Sequence, residues 1–229
     1  MKLIVIIPAR GGSKSLPKKN ILLLKGRPLL CHSVDYSLKS KLVTTTIVST
    51  DSQEIADIAK NCGASVPFIR PDEFAQDDTR DYPVIRHALD FFEARGQIFD
   101  LYILLRPTSP MRPSGLIEKA IEILKGNTNI TSVRSMTRIK EHPYRAWKRH
   151  DDGSISGFID NEIESYNIPR QELPNLYFQT GDIEAIRRET IINGSVSGDC
   201  VFPLIIKHDE MIDIDNESDF NRAEQSSFV

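Results

Sequence analysis

Leu3 to Ile7 is an unbroken, mostly β-branched apolar run, the pattern of a strand buried on both faces, and Pro8 with the pair Gly11-Gly12 stops it. From Pro28 to Leu38 the apolar residues Leu29, Leu30, Val34 and Leu38 recur at helical spacing, and Thr44 to Ser49 returns to strand composition. Asp51-Ser52 caps a helix running to about Asn61, Gly63 closes it, and Ser65 to Ile69 predicts another short strand. A helix from about Tyr82 to Ala94, a strand from Phe99 to Leu105, a helix from about Pro113 to Leu124 and a strand from Asn129 to Arg134 follow. Strands alternating with helices predict an α/β fold with a doubly wound, mostly parallel sheet, Rossmann-like in layout.

The rhythm breaks after Arg134. Residues 137–176 hold His142-Pro143, Trp147, the turn Asp151-Asp152-Gly153 and two later prolines, with no helical period. Such a segment is too long for an ordinary connection, so it predicts an extended arm bearing a hairpin and packing on a second copy of the chain. Regular structure returns at Leu176 to Ile186, Val201 to Ile206 and Met211 to Ile214, and a helix from Asn216 to about Gln225 ends the sequence. Residues 1–229 read as a single domain with 137–176 as its dimerisation arm.

A chain of 229 residues with 40% hydrophobic content buries one sizeable core, and a net charge of −3 excludes a globally basic face for nucleic acid or a polybasic membrane anchor. No stretch approaches the about 18 uninterrupted apolar residues of a spanning helix. The opening Met-Lys-Leu-Ile-Val-Ile-Ile imitates a signal peptide, but Pro8 cuts it short, and a cytoplasmic location is expected. Cys31, Cys62 and Cys200 are odd in number and far apart, so neither a disulfide framework nor a structural zinc is expected. His32, His87, His142, His150 and His208 show no catalytic spacing to a Ser or Cys.

The chemistry concentrates in the loop after the first strand. Ala9-Arg10-Gly11-Gly12-Ser13-Lys14-Ser15-Leu16-Pro17-Lys18-Lys19-Asn20 carries four cations where open α/β sheets bind ligands, beyond the carboxyl ends of the strands. Glycines let backbone N–H groups approach phosphate oxygens and the cations add charge-assisted hydrogen bonds, which suits a triphosphate. The loop is neither a Walker A sequence nor a GxGxxG fingerprint. At the other end of the chain, Asp213 and Asp215 stand two apart in a strand-like run that points both carboxylates one way, which fits Mg²⁺ bound with a nucleotide. Asp51 is a weaker ligand candidate, since Ser-Thr-Asp-Ser is also capping chemistry.

The segment Ile7-Pro8-Ala9-Arg10-Gly11-Gly12-Ser13-Lys14-Ser15-Leu16-Pro17-Lys18-Lys19-Asn20-Ile21 closely resembles the signature loop of the acylneuraminate cytidylyltransferases, the CMP-sialic acid synthetases. Ile47 to Asp51, Arg70-Pro71-Asp72-Glu73, Arg106-Pro107-Thr108-Ser109-Pro110-Met111-Arg112 and Met211 to Phe220 resemble further motifs of that family, in its order. The resemblance implies transfer of CMP from CTP to the anomeric hydroxyl of a 2-keto-3-deoxy sugar acid, a sialic acid or related nonulosonate, with release of pyrophosphate. It implies catalytic roles for Arg10, Lys14, Lys19 and Asp215, and nucleotide contacts from Ala9, Arg10, Gly11, Gly12, Ser13, Lys14, Lys19, Asn20 and Arg70. It places Arg106, Thr108, Ser109, Arg170, Gln179 and Asp182 toward the sugar acid, with Arg170 reaching a neighbouring subunit, and the metal, Mg²⁺, on Asp213 and Asp215.

Two departures stand out. Arg106 replaces a customary glutamine, and Gln179-Thr180-Gly181-Asp182-Ile183-Glu184 stands where the family reads Asn-Gly-Ala-Ile-Tyr. Arg106 either pairs with Asp182 and Glu184 or helps recognise a differently decorated acid. An octulosonate acceptor, a sugar 1-phosphate acceptor and a non-catalytic binding homologue stay open as alternatives.

Overall fold

The structure is a computed structural model that describes residues 1–160, 164–207 and 212–226. In chain order come β1 (Leu3–Pro8), β2 (Leu23–Leu24), β3 (Arg27–Pro28), α1 (Leu29–Lys39), β4 (Thr45–Ser49), α2 (Gln53–Asn61), α3 (Asp81–Glu93), β5 (Leu101–Leu104) and α4 (Leu116–Gly126). They are followed by β6 (Ser132–Arg138), β7 (Trp147–Arg149), β8 (Ile155–Gly157), β9 (Tyr177–Arg187), α5 (Arg188–Ile192), β10 (Val201–Ile205) and α6 (Glu217–Gln225).

Six strands form one sheet in the order β10-β6-β9-β5-β1-β4. All its pairings are parallel except those of β9, which runs antiparallel between β5 and β6. The two-residue period of β1 sorts its side chains into two cores. Leu3, Val5 and Ile7 pack with Leu30 and Val34 of α1, Ile55 of α2 and Ile117 and Ile121 of α4. Ile4 and Ile6 pack with Ile85, Leu89 and Phe92 of α3 and Ile191 of α5. The sheet is therefore covered on both faces, as the alternating pattern predicts.

Several expectations are corrected. Ser65 to Ile69 is no strand: Ser65 makes one parallel bridge to Ile47, and the proline two residues later has no N–H with which to continue a ladder. Ile212 to Ile214 forms no strand either, and Met211 and His208 lie outside the described residues; the Ile214 amide instead donates to the Thr108 carbonyl at 2.8 Å. Ser52, rather than Asp51, caps α2, its hydroxyl accepting from the Ile55 amide at 3.4 Å. Cys31 and Cys62 are joined in a disulfide across α1 and the end of α2, with Cα atoms 5.7 Å apart. Their separation of 31 residues concealed that the two helices lie side by side on one sheet face. Cys200 is free.

In the arm, β7 and β8 form the expected hairpin, and Trp147 lies against Tyr166 with ring centroids 4.2 Å apart. Trp147, Ile155 and Phe158 of the arm stay exposed, as do Tyr177 and Phe178 of β9 and Phe202 of the edge strand β10. Among the described residues, no helix is long and apolar enough to cross a membrane.

Candidate active site

At the carboxyl end of the sheet a cleft of about 430 Å³ opens between the loop after β1, the loop before α3 and the turn after β5. Arg10, Ser13, Lys14, Lys19, Asn20, Arg70, Arg106, Thr108 and Asp215 line it. Sequence positions 10 and 215 thus meet in one cavity.

That meeting has a physical basis. Leu24 and Leu29 pack with Ile212, Ile214 and Ala223, with Leu16 of the loop and Phe220 of α6 against them. Burying Ile212 and Ile214 turns Asp213 and Asp215 the other way, so the alternation read from the sequence survives without strand pairing. Lys19, whose side chain is only 12% exposed, completes the join, its Nζ donating to the Ile214 carbonyl at 3.0 Å and to Asp215 Oδ1 at 3.3 Å.

The loop itself is held by polar contacts that its glycines do not announce. Asn20 is buried and donates to the Arg10 carbonyl at 2.9 Å, fixing the turn. The Gly11 amide donates to Asp51 Oδ1 at 2.9 Å, so Asp51 orders the loop backbone. Ala9 is fully buried and extends the β1–β4 ladder to the Ser49 carbonyl, and neither it nor Gly12 lines the cleft. Arg70 is buried beside Asp51 at 4.0 Å; burial lowers its guanidinium affinity for a proton, with Arg10 adding in the same sense. Asp77, which the sequence did not single out, accepts from Arg10 Nη1 at 2.6 Å and also pairs with Lys14. Those hydrogen bonds, Lys14 first, hold its carboxyl below the usual range.

Behind the cleft lies a denser network. Arg112 is buried and donates through Nε to the Asp182 carbonyl at 2.5 Å, through Nη1 to Ser33 Oγ at 2.9 Å and through Nη2 to the Arg106 carbonyl. Burial depresses its pKa to about 10. Asp182 is 1% exposed and its carboxyl is raised by that burial. Asp182 therefore sits behind the wall, and Ser109 is buried with it; neither lines the cleft. A Cβ on Gly181 would stand 2.5 Å from Ser109 Oγ, so the chain needs glycine there. Gln179 is tied to Arg134 and Glu184, and Arg170 is exposed on the arm, away from the cleft of its own chain.

The carboxylates of the tail suit a hard divalent ion. Asp213 Oδ1 is buried without a hydrogen-bond partner, and burial, with the Asp215 charge adding, pushes the Asp213 carboxyl up despite a hydrogen bond from Thr108. A cation beside these oxygens relieves both penalties. Two carboxylates with the remaining positions left to water and phosphate are what Mg²⁺ takes; among the described residues no set of three or more acidic, His or Cys side chains gathers to form a richer cage.

Residues 4–193 match the family described as cytidylyltransferase. The chain belongs to that family. It is therefore a nucleotidyltransferase, and its similarity to individual members extends over almost its whole length. A CMP-N,N'-diacetyllegionaminic acid synthase of Legionella pneumophila is 35% identical over 98% of this chain and 96% of its own. An N-acylneuraminate cytidylyltransferase of Escherichia coli is 32% identical over 97% of this chain, which spans about half, 51%, of that protein. Among solved structures, a CMP-2-keto-3-deoxy-manno-octonic acid synthetase complexed with CTP superposes with a TM-score of 0.72 over 98% of this chain and 97% of its own, at 17% identity, a likeness of fold.

Proposed function

We propose that the enzyme transfers CMP from CTP to the anomeric hydroxyl of a nonulosonate-type 2-keto-3-deoxy sugar acid and releases pyrophosphate, using Mg²⁺. The observation that carries this reading is the Lys19 bridge, which brings the cationic loop and Asp215 to one cleft, with Asp213 two residues away. The relatives that match along nearly the whole chain, named for legionaminic and N-acylneuraminic acids, support the acceptor class.

The acceptor hydroxyl gives up its proton to solvent and attacks the α-phosphorus, its oxygen forming the new P–O bond while the bond to the β-phosphate oxygen breaks. Negative charge grows on the phosphoryl oxygens and on the departing pyrophosphate. Arg10, Lys14 and Lys19 are positioned to meet it, and fixed cations in a partly enclosed cleft stabilise such charge without reorganising. Lys19 is the most firmly placed, with two acceptors already fixing its ammonium. Arg10 and Lys14 must exchange Asp77 for phosphate oxygens, which an exposed carboxylate permits. Asp213 and Asp215 would hold Mg²⁺, which neutralises phosphate charge when bound.

The second copy belongs to the same reading. Trp147, Phe158, Tyr177, Phe178 and Phe202 are exposed, and a homodimer would cover them and bring Arg170 toward the partner's cleft. The test is a pyrophosphate-release screen over nonulosonic and octulosonic acids, with hexose 1-phosphates as controls, each with the four nucleoside triphosphates. CTP with a nonulosonic acid is expected to give product, and Asp215→Ala to abolish it with the fold intact. Consumption of UTP or dTTP with a hexose 1-phosphate refutes the reading.

A further inference from the structure

Arg106 lines the cleft, and behind it β9 is irregular. Arg134 of β6 faces Glu184 of β9 and Met136 faces Gln179, so β9 carries three extra residues between those pairings. Ser135 fills the resulting bulge: its hydroxyl accepts from the Ile183 amide at 3.0 Å and donates to the Ile183 carbonyl at 3.1 Å. Bulges of this kind re-aim side chains beside active sites. Here the bulge brings Gln179 back over Glu184, Nε2 to Oε1 at 3.3 Å, and sets Gly181 against Arg106.

Glu184 is the centre of what results. Its side chain is 3% exposed, and it meets Arg106 Nη2 at 2.5 Å and Arg134 Nη2 at 3.0 Å. Arg106 also donates to both oxygens of Asp81, at 3.1 and 2.7 Å, and Arg134 Nη1 donates to Gln179 Oε1 at 2.7 Å. Two arginines against two carboxylates leave the cluster neutral. Arg106 nevertheless lines the cleft beside Asp81 and Thr108.

We infer that Glu184 is a positioning residue for the acceptor half of the cleft, acting through Arg106, and that Arg106 presents to the acceptor a guanidinium whose charge is already balanced. This inference rests on the acceptor reading above. It deepens it in one respect: the group of the sugar acid that faces Arg106 is an uncharged hydroxyl or amide, and the acid's own carboxylate is met elsewhere. A guanidinium with both terminal nitrogens engaged by Asp81 and Glu184 has no free fork for bidentate carboxylate capture.

The experiment is a double-mutant cycle on steady-state kinetics, using Glu184→Gln, Arg106→Gln and the pair, with CTP and the best acid from the screen. Glu184→Gln is expected to raise KM for the acid about tenfold or more while leaving KM for CTP within about twofold. In the Arg106→Gln background the same change is expected to move the acid KM less than about twofold, since the partner through which it acts is gone. Glu184→Asp, which keeps the charge, serves if the glutamine variant fails to fold, and it is expected to shift KM for the acid alone. Equal effects on both substrates, additive effects in the cycle, or an unchanged acid KM overturn the inference. The wild type separates the two levels: if it turns over no acid at all, the acceptor reading fails and takes the inference with it; if it turns over while the variants match it, only the inference fails.

Discussion

Replacing Arg112 by methionine keeps the length of the aliphatic stem and removes the guanidinium. The Asp182 carbonyl in the β9 bulge and Ser33 Oγ on α1 then lose Arg112 as donor, and the Arg106 carbonyl after β5 is left with the Ser109 amide at 3.2 Å and Ser33 Oγ at 3.3 Å. Asp182 also loses the cation nearest its buried carboxylate. Each orphaned acceptor costs about 1–3 kcal/mol, and stripping one partner from a buried charged network costs about 3–5 kcal/mol in total, the acceptors sharing relaxation and water entry. For a domain of this size about 1 kcal/mol moves the melting temperature by about 2–4 °C, so a fall of about 6–20 °C is expected. Urea unfolding followed by circular dichroism supplies the check, with a lower midpoint and an unchanged slope. Arg112→Lys, able to satisfy fewer of the three acceptors at once, should fall between. A loss under about 1 kcal/mol for Arg112→Met would refute the view that this arginine locks the turn at Arg106 and the β9 bulge to α1.

Three further outcomes follow from the same geometry. Gly181→Ala should destabilise the fold by about 1–3 kcal/mol because its Cβ meets Ser109 Oγ, and Ser109→Ala in the same chain should recover most of that loss, as read by urea midpoints. Breaking the Cys31–Cys62 bond with a thiol reductant, or by Cys62→Ser, should cost about 3–4 kcal/mol for a loop of 31 residues; mass spectrometry confirms the bond and calorimetry its effect, and an unchanged melting curve after verified reduction contradicts it. His87 packs on Phe68 and Phe74, and burial followed by the nearby Arg70 charge lowers its pKa. The unfolded chain then takes up this proton first, so stability is full above about pH 6.5 and declines as pH falls from there toward the lower folded value; His87→Phe should flatten that stretch of the stability profile.

Much of this layout was legible in advance because the hydrophobic core follows the chain's own periodicity. The run at Leu3 to Ile7 alternates into two cores, and each amphipathic helix falls within a few residues of its expected bounds. The cationic loop was legible for a similar reason: cations crowd the end of a buried strand, and three of the four, Arg10, Lys14 and Lys19, line the cleft, while Lys18 pairs with Glu54. What escaped were contacts between distant segments. Asp77 sits in a polar loop that resembles any surface turn, and only the fold brings it to Arg10 and Lys14. Of the pairing with Asp182 and Glu184 that the charges allowed, Arg106 makes the contact to Glu184 and adds Asp81, a partner at the start of α3 that the sequence did not announce. Cys31 and Cys62 were misjudged because separation along the chain says nothing of two helices that share a sheet face. Ser65 to Ile69 was misread because β propensity was weighed above the proline inside it.

In the proposed reaction the cationic loop and the tail aspartates hold one triphosphate between them. A crystal structure of the enzyme with CTP and Mg²⁺ tests this most directly. The expected electron density shows phosphate oxygens on Lys19 and on Arg10 or Lys14, Asp77 drawn away from those cations, and a metal between the phosphates and Asp213 with Asp215. A nucleotide bound at any other surface, or phosphates seated in this cleft with the tail carboxylates taking no part, would contradict it.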